Sequence, residues 1–176
     1  LPNMLKSPHQ PRLLFVGSKL YELGSVHWDD LQLQQRYTSL GAYSQSKMVE
    51  MLLAFELRRR LAGRVTVVAC HPGNCVTEVA RSIPRVLQVL YKTIVGPLCL
   101  LSAEEGARPV LHAATCEAFT CKGPDVASLR RDFYFHSDGR PWPVVGSVLH
   151  DDARRARLWH VATTLVGTTS ASLLPE

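Results

Sequence analysis

A strand–helix–strand order is the feature that most constrains the fold of this 176-residue chain. Residues 12–18 form a short apolar run entered by Pro11, and residues 65–70 form a second run rich in valine. Runs of this length and composition, bounded by turn residues, are typical of buried strands. Two strands joined by a helix favour parallel pairing through a right-handed crossover. The expected class is therefore α/β, with a parallel sheet.

The helical pattern between the two runs extends over residues 40–62. Thr38 or Ser39 can cap its first turn, and Gly63 ends it. One apolar stripe is expected to face the sheet and consists of Val49, Leu52, Leu53, Leu57 and Leu61. A second apolar group widens this surface and consists of Met48, Met51 and Phe55. On the residues alone, that second group is further core.

A tyrosine and a lysine four residues apart, Tyr43 and Lys47, lie within this helical segment. Side chains at i and i+4 lie on the same face of a helix. A nearby ammonium group stabilises a phenolate and lowers the phenol pKa from its ordinary value of about 10. Such a pair can donate and accept a proton in carbonyl and alcohol chemistry. The alternative is a helix with a core tyrosine and a solvated lysine.

Polar and turn residues follow both predicted strands. Ser18 ends the first run, and a Pro72-Gly73 turn comes after the second. Parallel strands end at the same edge of a sheet, and reactive groups gather at that carboxyl edge in open α/β sheets. We therefore expect Ser18, the start of the helix at Tyr43 and the turn to meet there. Ser18 then either donates to a substrate oxygen or is an ordinary turn residue.

Three blocks of sequence, in this order, resemble the short-chain dehydrogenase/reductase family. Val16-Gly17-Ser18 resembles the strand that ends in the family's catalytic serine. Tyr43-Ser44-Gln45-Ser46-Lys47 resembles the YxxxK signature, and Pro72-Gly73-Asn74-Cys75-Val76-Thr77 resembles the PGxxxT loop. Residues 1–7 resemble the end of the helix that precedes the serine strand. The resemblance covers residues 1–166 as part of one domain, and we expect residues 167–176 to be a disordered tail.

The resemblance implies a role for each matching residue. Tyr43 is the general acid/base, Lys47 lowers its pKa and holds the nicotinamide ribose, and Ser18 hydrogen-bonds the substrate oxygen. The cofactor is NADP or NAD, and the residues that contact it are Tyr43, Lys47, Pro72, Gly73, Cys75 and Thr77. The resemblance also implies a second interpretation of Met48, Met51 and Phe55. On this interpretation the helix 40–62 forms a homo-oligomer or helix-pair interface.

Further blocks look like the retinol-dehydrogenase and WW-domain-oxidoreductase branch of the family. They are residues 26–31, 42–47, 70–74 and 156–159. This branch implies an enzyme that interconverts a carbonyl and an alcohol on a lipophilic, retinoid- or steroid-like substrate.

The family's cofactor-binding half has no counterpart in these residues. None of the 11 glycines forms a GxxxGxG or GxGxxG turn after a strand. We therefore expect the C-terminal half of a Rossmann-like doubly wound parallel sheet, with a bare apolar edge at residues 12–18. Weak or absent activity and doubtful cofactor binding follow for this chain alone. The alternatives are a truncated, catalytically silent form that acts through protein contacts, and an unrelated α/β binding domain.

Composition and charge exclude several other classes. The net charge is +5, but the run of arginines at 58–60 suits a helix C-terminus, and no basic–aromatic interleaving indicates nucleic acid. An odd number of cysteines, five, without a CxxC pair indicates buried thiols in a reducing compartment. The expected location is the cytoplasm or the cytosolic face of an intracellular membrane. The seven histidines lack ligand spacing, which argues against a metal site.

The most hydrophobic segment, residues 83–101, is too short in uninterrupted apolar length to span a membrane. Three interpretations stay open for it: an apolar lid over the substrate, a segment that dips into a membrane surface, and a plain core helix.

The C-terminal third predicts two helices and a strand. Ser102 and Glu105 form a capping box for a helix that Pro109 kinks or shortens. Its expected buried face consists of Ala107, Val110, Leu111 and Ala114. Residues 133–135 are the last strand. Asp151 caps a final helix that Gly167 ends, and its expected inward face consists of Leu158, Val161, Ala162 and Leu165.

Overall fold

The two apolar runs form neighbouring parallel strands, as predicted. The structure is a computed structural model that describes residues 2–73, 89, 101–116, 134–135 and 147–168. In chain order its elements are α1 (Pro2–Leu5), β1 (Arg12–Val16), a 3-10 helix (Lys19–Leu23), α2 (Ser39–Arg60), β2 (Thr66–Cys70), α3 (Ala103–Thr115), β3 (Tyr134–Phe135), a second 3-10 helix (Ser147–His150) and α4 (Asp152–Leu165).

The described part of the sheet has the order β1-β2-β3, and both pairings are parallel. Arg12 is opposite Thr66 at one end, and Val16 is opposite Cys70 at the other. Every residue of β2 is buried, whereas β1 is only half-buried and Val16 is exposed. Within the described residues, β1 thus lies at the edge of the sheet, as the expected half of a doubly wound fold requires.

Helix α2 connects the two strands and packs its apolar side on them. The Thr38 hydroxyl caps it by accepting from the Gly41 N–H at 3.1 Å, and Gly63 turns the chain with a φ of 79°. The predicted apolar stripe is confirmed as core: Leu52, Leu57 and Leu61 are buried, and Val49 and Leu53 are half-buried at its margin. Met48, Met51 and Phe55 are buried in the same cluster, so core is confirmed for them.

The segment after the first 3-10 helix approaches α2 closely through a glycine. A Cβ added at Gly24 would lie 2.2 Å from the Ser44 carbonyl oxygen and 2.8 Å from the Met48 Cβ. Both atoms belong to or adjoin the helix backbone, which cannot move aside as a flexible side chain would. Glycine is therefore required where this segment crosses α2, and the crossing fixes the residues that follow Ser18.

Gly24→Ala should destabilise the fold by about 1–3 kcal/mol, because an inserted methyl group in a tight contact forces the backbone apart. Urea denaturation measured by circular dichroism would give the free energy of unfolding. Leu23→Ala is the matched control, since Leu23 is exposed and its truncation should change that free energy little. Equal stability of Gly24→Ala and the wild type would mean that the close approach is wrong.

Helix α3 begins where the capping box predicts. The Glu105 N–H donates to the Ser102 hydroxyl at 3.2 Å, and the Glu105 carboxylate accepts from the Ser102 N–H at 2.8 Å. Pro109 lies inside the helix, which continues to Thr115, so of the two expected effects of this proline the shortening is wrong and the kink stays a prediction. The small side of the helix lies against β1 and β2, with the Arg12 guanidinium donating to the Ala113 carbonyl at 3.0 Å.

The predicted buried face of α3 is wrong by about one residue of rotation. Gly106, Pro109 and Ala113 are buried, whereas Val110 is half-buried. Residues expected to be buried but found exposed are Ala107, Leu111 and Ala114. The physical reason is that the helix approaches the sheet through small residues, Gly106 and Ala113. The spacing of apolar residues along the helix does not reveal such a close approach.

Helix α4 begins at the predicted cap, where the Asp151 carboxylate accepts from the Arg154 N–H at 3.0 Å. Leu158 is buried as predicted, but Leu165 is 66% exposed, so its inward assignment is wrong. Val161 and Ala162 are half-buried, and the buried positions include Arg155 and Trp159. A charged side chain turns inward because α2 provides a buried carboxylate opposite it.

That carboxylate is Glu56, which is almost fully buried and connects α2 to α4. It accepts from Arg59 at 2.7 Å and from Arg60 at 2.6 Å, and Arg155 Nε lies 3.7 Å away. Arg60 also lies over the Trp159 ring, 4.8 Å from its centroid. Burial alone would raise the pKa of Glu56, but the hydrogen bonds and charges of Arg59 and Arg60 outweigh it and lower that pKa below its ordinary value.

Glu56→Gln should lower the free energy of unfolding at pH 7 by about 2–3 kcal/mol, because three guanidinium groups lose their counter-charge. A lowered folded-state pKa means that the carboxylate stabilises the fold above its ordinary pKa and that this contribution is lost as the pH falls through the folded-state value. The difference between variant and wild type should therefore shrink below about pH 4. A difference that is independent of pH in chemical denaturation would contradict this assignment.

Several predictions concern residues outside the described part. They include Cys75, Thr77, the segment 83–101 apart from Val89 and Leu101, and the tail 169–176. Gly167 ends α4 with a φ of 65°, as predicted. Among the described residues, no helix combines the length and the apolar character that crossing a bilayer requires.

Candidate active site

The carboxyl ends of β1 and β2 leave the sheet side by side. The Gly17 N–H donates to the Cys70 carbonyl at 2.9 Å, one residue beyond the last paired strand positions. Ser18 follows Gly17 directly, and Pro72 and Gly73 come shortly after Cys70. The parallel pairing therefore brings two of the three predicted blocks to one edge of the sheet.

Lys47 brings the third block to the same edge. Its ammonium group donates to the Val16 carbonyl oxygen at 3.0 Å and to the Glu50 carboxylate at 2.7 Å. Val16 is the last residue of β1, so the side chain crosses from α2 to the end of that strand. The i and i+4 relation is confirmed as well, since Lys47 Nζ lies 6.0 Å from the centroid of the Tyr43 ring.

Tyr43 is more exposed to solvent than Lys47, whereas a structural pair would have a buried tyrosine and a solvated lysine. Tyr43 is 43% exposed at the start of α2. The Lys47 side chain is only 21% exposed and is held by two partners. The alternative of a core tyrosine with a solvated lysine is therefore wrong. A phenol that faces solvent beside a held ammonium group can exchange a proton with a bound molecule.

Ser18 is buried and caps the N-terminus of the first 3-10 helix. Its hydroxyl oxygen accepts from the Leu20 N–H at 3.3 Å, which is a capping contact. This contact makes Ser18 a turn residue, as one interpretation held, but it uses only an acceptor site of the hydroxyl. The O–H is a separate donor, so the catalytic role of Ser18 stays a prediction.

Gly73 turns the chain away from β2. Its φ of 84° lies in the left-handed region, which glycine adopts without strain. Pro72 and Gly73 are half-buried at the carboxyl edge. Their predicted contact with a nicotinamide is compatible with this position, whereas Cys75 and Thr77 lie outside the described residues.

Two residues at this edge were not singled out in the sequence. Glu50 follows Lys47 by three positions, a spacing that permits an ion pair on a helix. Cys70, at the end of β2, is fully buried. Burial, together with the negative charge of Glu50, raises the pKa of the Cys70 thiol to about 11. Glu50 thus lies close enough to both Lys47 and Cys70 to influence them.

A separate depression of about 260 Å³ lies beside a different part of α2. Leu31, Leu33, Tyr37, Gln45 and Val49 are among the residues that line it. The Gln45 amide holds its wall by accepting from the His27 N–H at 2.9 Å and donating to the Leu31 carbonyl at 3.0 Å. Neither Tyr43 nor Lys47 lines this depression, so it is not the predicted catalytic edge.

The residues at the edge fit the nicotinamide end of a dinucleotide. The Lys47 ammonium group has three donors, and two of them go to Val16 and Glu50. The third has no partner among the residues that the structure describes and could reach a ribose hydroxyl, and Tyr43 is exposed beside it. A phosphate-binding glycine-rich turn is not among the sequence features of these 176 residues. The cysteine and histidine side chains that the structure describes form no group suited to a metal.

The fold and this edge define the class of protein: an α/β chain with a partial Rossmann-like parallel sheet. A solved structure of an uncharacterized protein from Mycobacterium Paratuberculosis superposes on it with a TM-score of 0.61 and 26% identity. The match covers 95% of this chain and 53% of that chain. No model of a known protein family matches this chain.

Curated relatives carry the comparison from fold to family. Human retinol dehydrogenase 14 is 30% identical over 95% of this chain and 47% of its own length. Mouse retinol dehydrogenase 12 is 33% identical over 93% of this chain and 48% of its own length, and human retinol dehydrogenase 13 is 33% identical over 98% and 51%. The resemblance to the short-chain dehydrogenase/reductases, with retinol dehydrogenases as relatives, is confirmed. The chain spans about half the length of the curated relatives it matches.

Cys70 should resist alkylation in the folded protein, because a buried thiol with a raised pKa has little thiolate at neutral pH. Iodoacetamide at pH 8, followed by peptide mass spectrometry, should label the partly exposed Cys116 first. In urea the two cysteines should react at similar rates. Equal labelling of both under native conditions would contradict the buried position of Cys70.

Proposed function

We propose that these residues are the C-terminal, acid/base-bearing part of an NAD(P)-dependent oxidoreductase that interconverts a carbonyl and an alcohol on a lipophilic, retinoid- or steroid-like substrate. One observation carries the proposal. Lys47 is held at the carboxyl end of β1, and an exposed Tyr43 lies on the same helix face beside it. Carboxyl ends of parallel strands are where open α/β sheets bind their ligands.

Tyr43 moves the proton in this mechanism. In the reducing direction its O–H gives a proton to the substrate oxygen, and in the oxidising direction the phenolate takes the proton back. The positive charge of Lys47 favours the phenolate that forms, and the Ser18 hydroxyl donates to the same substrate oxygen. NAD(P) supplies or accepts the hydride when bound. The chain's own residues therefore orient the substrate and balance the charge that develops on oxygen.

The character of the edge supports a lipophilic substrate. Val16, two residues before Ser18, and Leu20 and Leu23, two and five residues after it, are all exposed apolar side chains. An exposed apolar group beside polar reactive residues is typical of a ligand-binding surface. Proteins named retinol dehydrogenase are among the relatives, and retinol is an apolar alcohol.

Tyr43→Phe should lower kcat by about 10²–10⁴-fold in the complete protein, because it removes the proton donor and leaves the ring in place. The dissociation constant for NADP(H), measured by fluorescence titration, should change less than about threefold, since the phenol contributes little to binding by remote parts of the cofactor. Tyr37→Phe is the matched control, because Tyr37 is also exposed and lies six residues earlier. Undiminished turnover of retinol or a steroid alcohol by Tyr43→Phe would remove Tyr43 from the mechanism.

A second function is a catalytically silent form that acts through protein contacts. The half-buried side chains of Val49 and Leu53 on α2 are compatible with pairing of the helix 40–62 with another copy. Both candidates expect weak or no NADP(H) binding by the 176-residue chain alone, so they are separated by the transcript and by association of the chain. A GxxxGxG coding stretch upstream of Leu1 in the same transcript favours the enzyme. A transcript without that stretch, together with a dimer of the 176-residue chain in light scattering, favours the silent form. We also propose that the segment 83–101 contacts a membrane surface and that the protein resides in a reducing compartment.

A further inference from the structure

An ion pair between Lys47 and Glu50 lies at the edge where β1 and β2 end, and it is largely shielded from solvent. The two side chains are 21% and 23% exposed, so about four-fifths of each is shielded from water. A pair in that environment is screened less by salt and solvent than a surface pair. Its Nζ–Oε2 distance of 2.7 Å is that of a strong, charge-assisted hydrogen bond.

Glu50 fixes where the lysine charge lies. The lysine side chain is a flexible stem of four carbons, so its ammonium group takes many positions in solvent. Here the ammonium group is held from two sides, by the Val16 carbonyl of β1 and by Glu50 of its own helix. These two contacts hold Nζ 6.0 Å from the Tyr43 ring centroid. Losing the carboxylate would leave a single neutral acceptor to hold it.

Glu50 also changes the charge that Tyr43 experiences. A lone ammonium group near a phenol strongly favours the phenolate. An ammonium group paired with a carboxylate is neutral overall, and its effect on the phenol is that of a dipole. The negative charge of Glu50 reaches the neighbouring strand as well, since it contributes to raising the pKa of the Cys70 thiol.

The other titratable groups around α2 are placed differently. Cys70 and the buried His71 lie at the end of β2, and β1 contributes the neutral Val16 carbonyl. Tyr21 of the first 3-10 helix is buried against α2. The second 3-10 helix and α4 contact α2 further along, where His150 lies against Phe55 and Arg155 faces Glu56. Among the described side chains, the carboxylate paired with Lys47 is that of Glu50.

We propose that Glu50 is a positioning residue for the proposed reaction: its carboxylate holds the Lys47 ammonium group at the end of β1 and offsets its charge beside the Tyr43 ring. This rests on the proposed function for the catalytic meaning of Tyr43. The hold of Glu50 on Lys47 does not depend on that function.

The test is turnover by two Glu50 variants of the complete protein, compared with the wild type. Glu50→Gln keeps the size and an oxygen acceptor but lacks the negative charge, so it should keep more of the wild-type kcat than a variant that removes the acceptor.

Glu50→Ala removes the hydrogen bond altogether and should lower kcat roughly tenfold with little change in KM for the alcohol or carbonyl substrate, since the lysine is no longer held in place. Glu104→Gln is the matched control for charge, because it removes an exposed carboxylate from the first turn of α3. It should leave kcat unchanged.

The outcomes separate the two proposals. If Glu50→Ala turns over like the wild type while both proteins are folded by circular dichroism, Glu50 serves only helix stability and the inference is wrong. If Glu50→Ala lowers kcat but Tyr43→Phe keeps full turnover, Glu50 still positions Lys47 and the proposed function fails. A lower kcat in Glu50→Gln than in Glu50→Ala would overturn the holding role, since glutamine keeps an oxygen acceptor.

Discussion

The contact between the Lys47 ammonium group and the Val16 carbonyl connects the two halves of the described structure. It joins α2 to the carboxyl end of β1, so the face of the helix that carries Tyr43 is held at the edge where both strands end. The remaining features at that edge depend on this placement. Ser18 and the Pro72-Gly73 turn lie there because β1 and β2 are parallel and end in register.

A second connection holds α2 from the opposite end. Glu56 is buried among arginines from α2 and α4, and Trp159 lies under the Arg60 guanidinium. Gly24 lets the segment after the first 3-10 helix lie against α2 near Ser44. The helix is therefore fixed along its length by contacts of three kinds: a lysine to a strand, a backbone crossing and a buried carboxylate. The geometry of the Tyr43–Lys47 pair is therefore set by the protein's own contacts, without a bound ligand.

Local sequence signals predicted the elements that depend on local physics. The cap at Thr38, the end at Gly63, the capping box at Ser102 and the parallel pairing all follow from hydrogen bonding within a few residues or from chain connectivity. Faces of the helices were predicted less well. Leu111 and Leu165 are exposed, because α3 approaches the sheet through small residues and α4 directs Arg155 towards a carboxylate that is 99 positions away in sequence.

The candidate site shows the same division. The i and i+4 spacing and the strand order predicted that Tyr43, Lys47 and Ser18 would share one edge. The sequence carried an i and i+3 signal for Glu50 as well, but such spacings are common on solvated helix faces. What distinguishes this pair is its shielding from water and the carbonyl of β1 beside it, and both come from tertiary packing.

We propose that this edge holds the nicotinamide beside Tyr43. A crystal structure of the complete protein with NADP(H) bound would locate the nicotinamide directly. We expect Lys47 Nζ to donate to a ribose hydroxyl at about 3 Å and the Tyr43 hydroxyl to lie within reach of a substrate oxygen above the nicotinamide ring. A nicotinamide bound away from the ends of β1 and β2, with Lys47 and Tyr43 making no contact to it, would contradict this proposal.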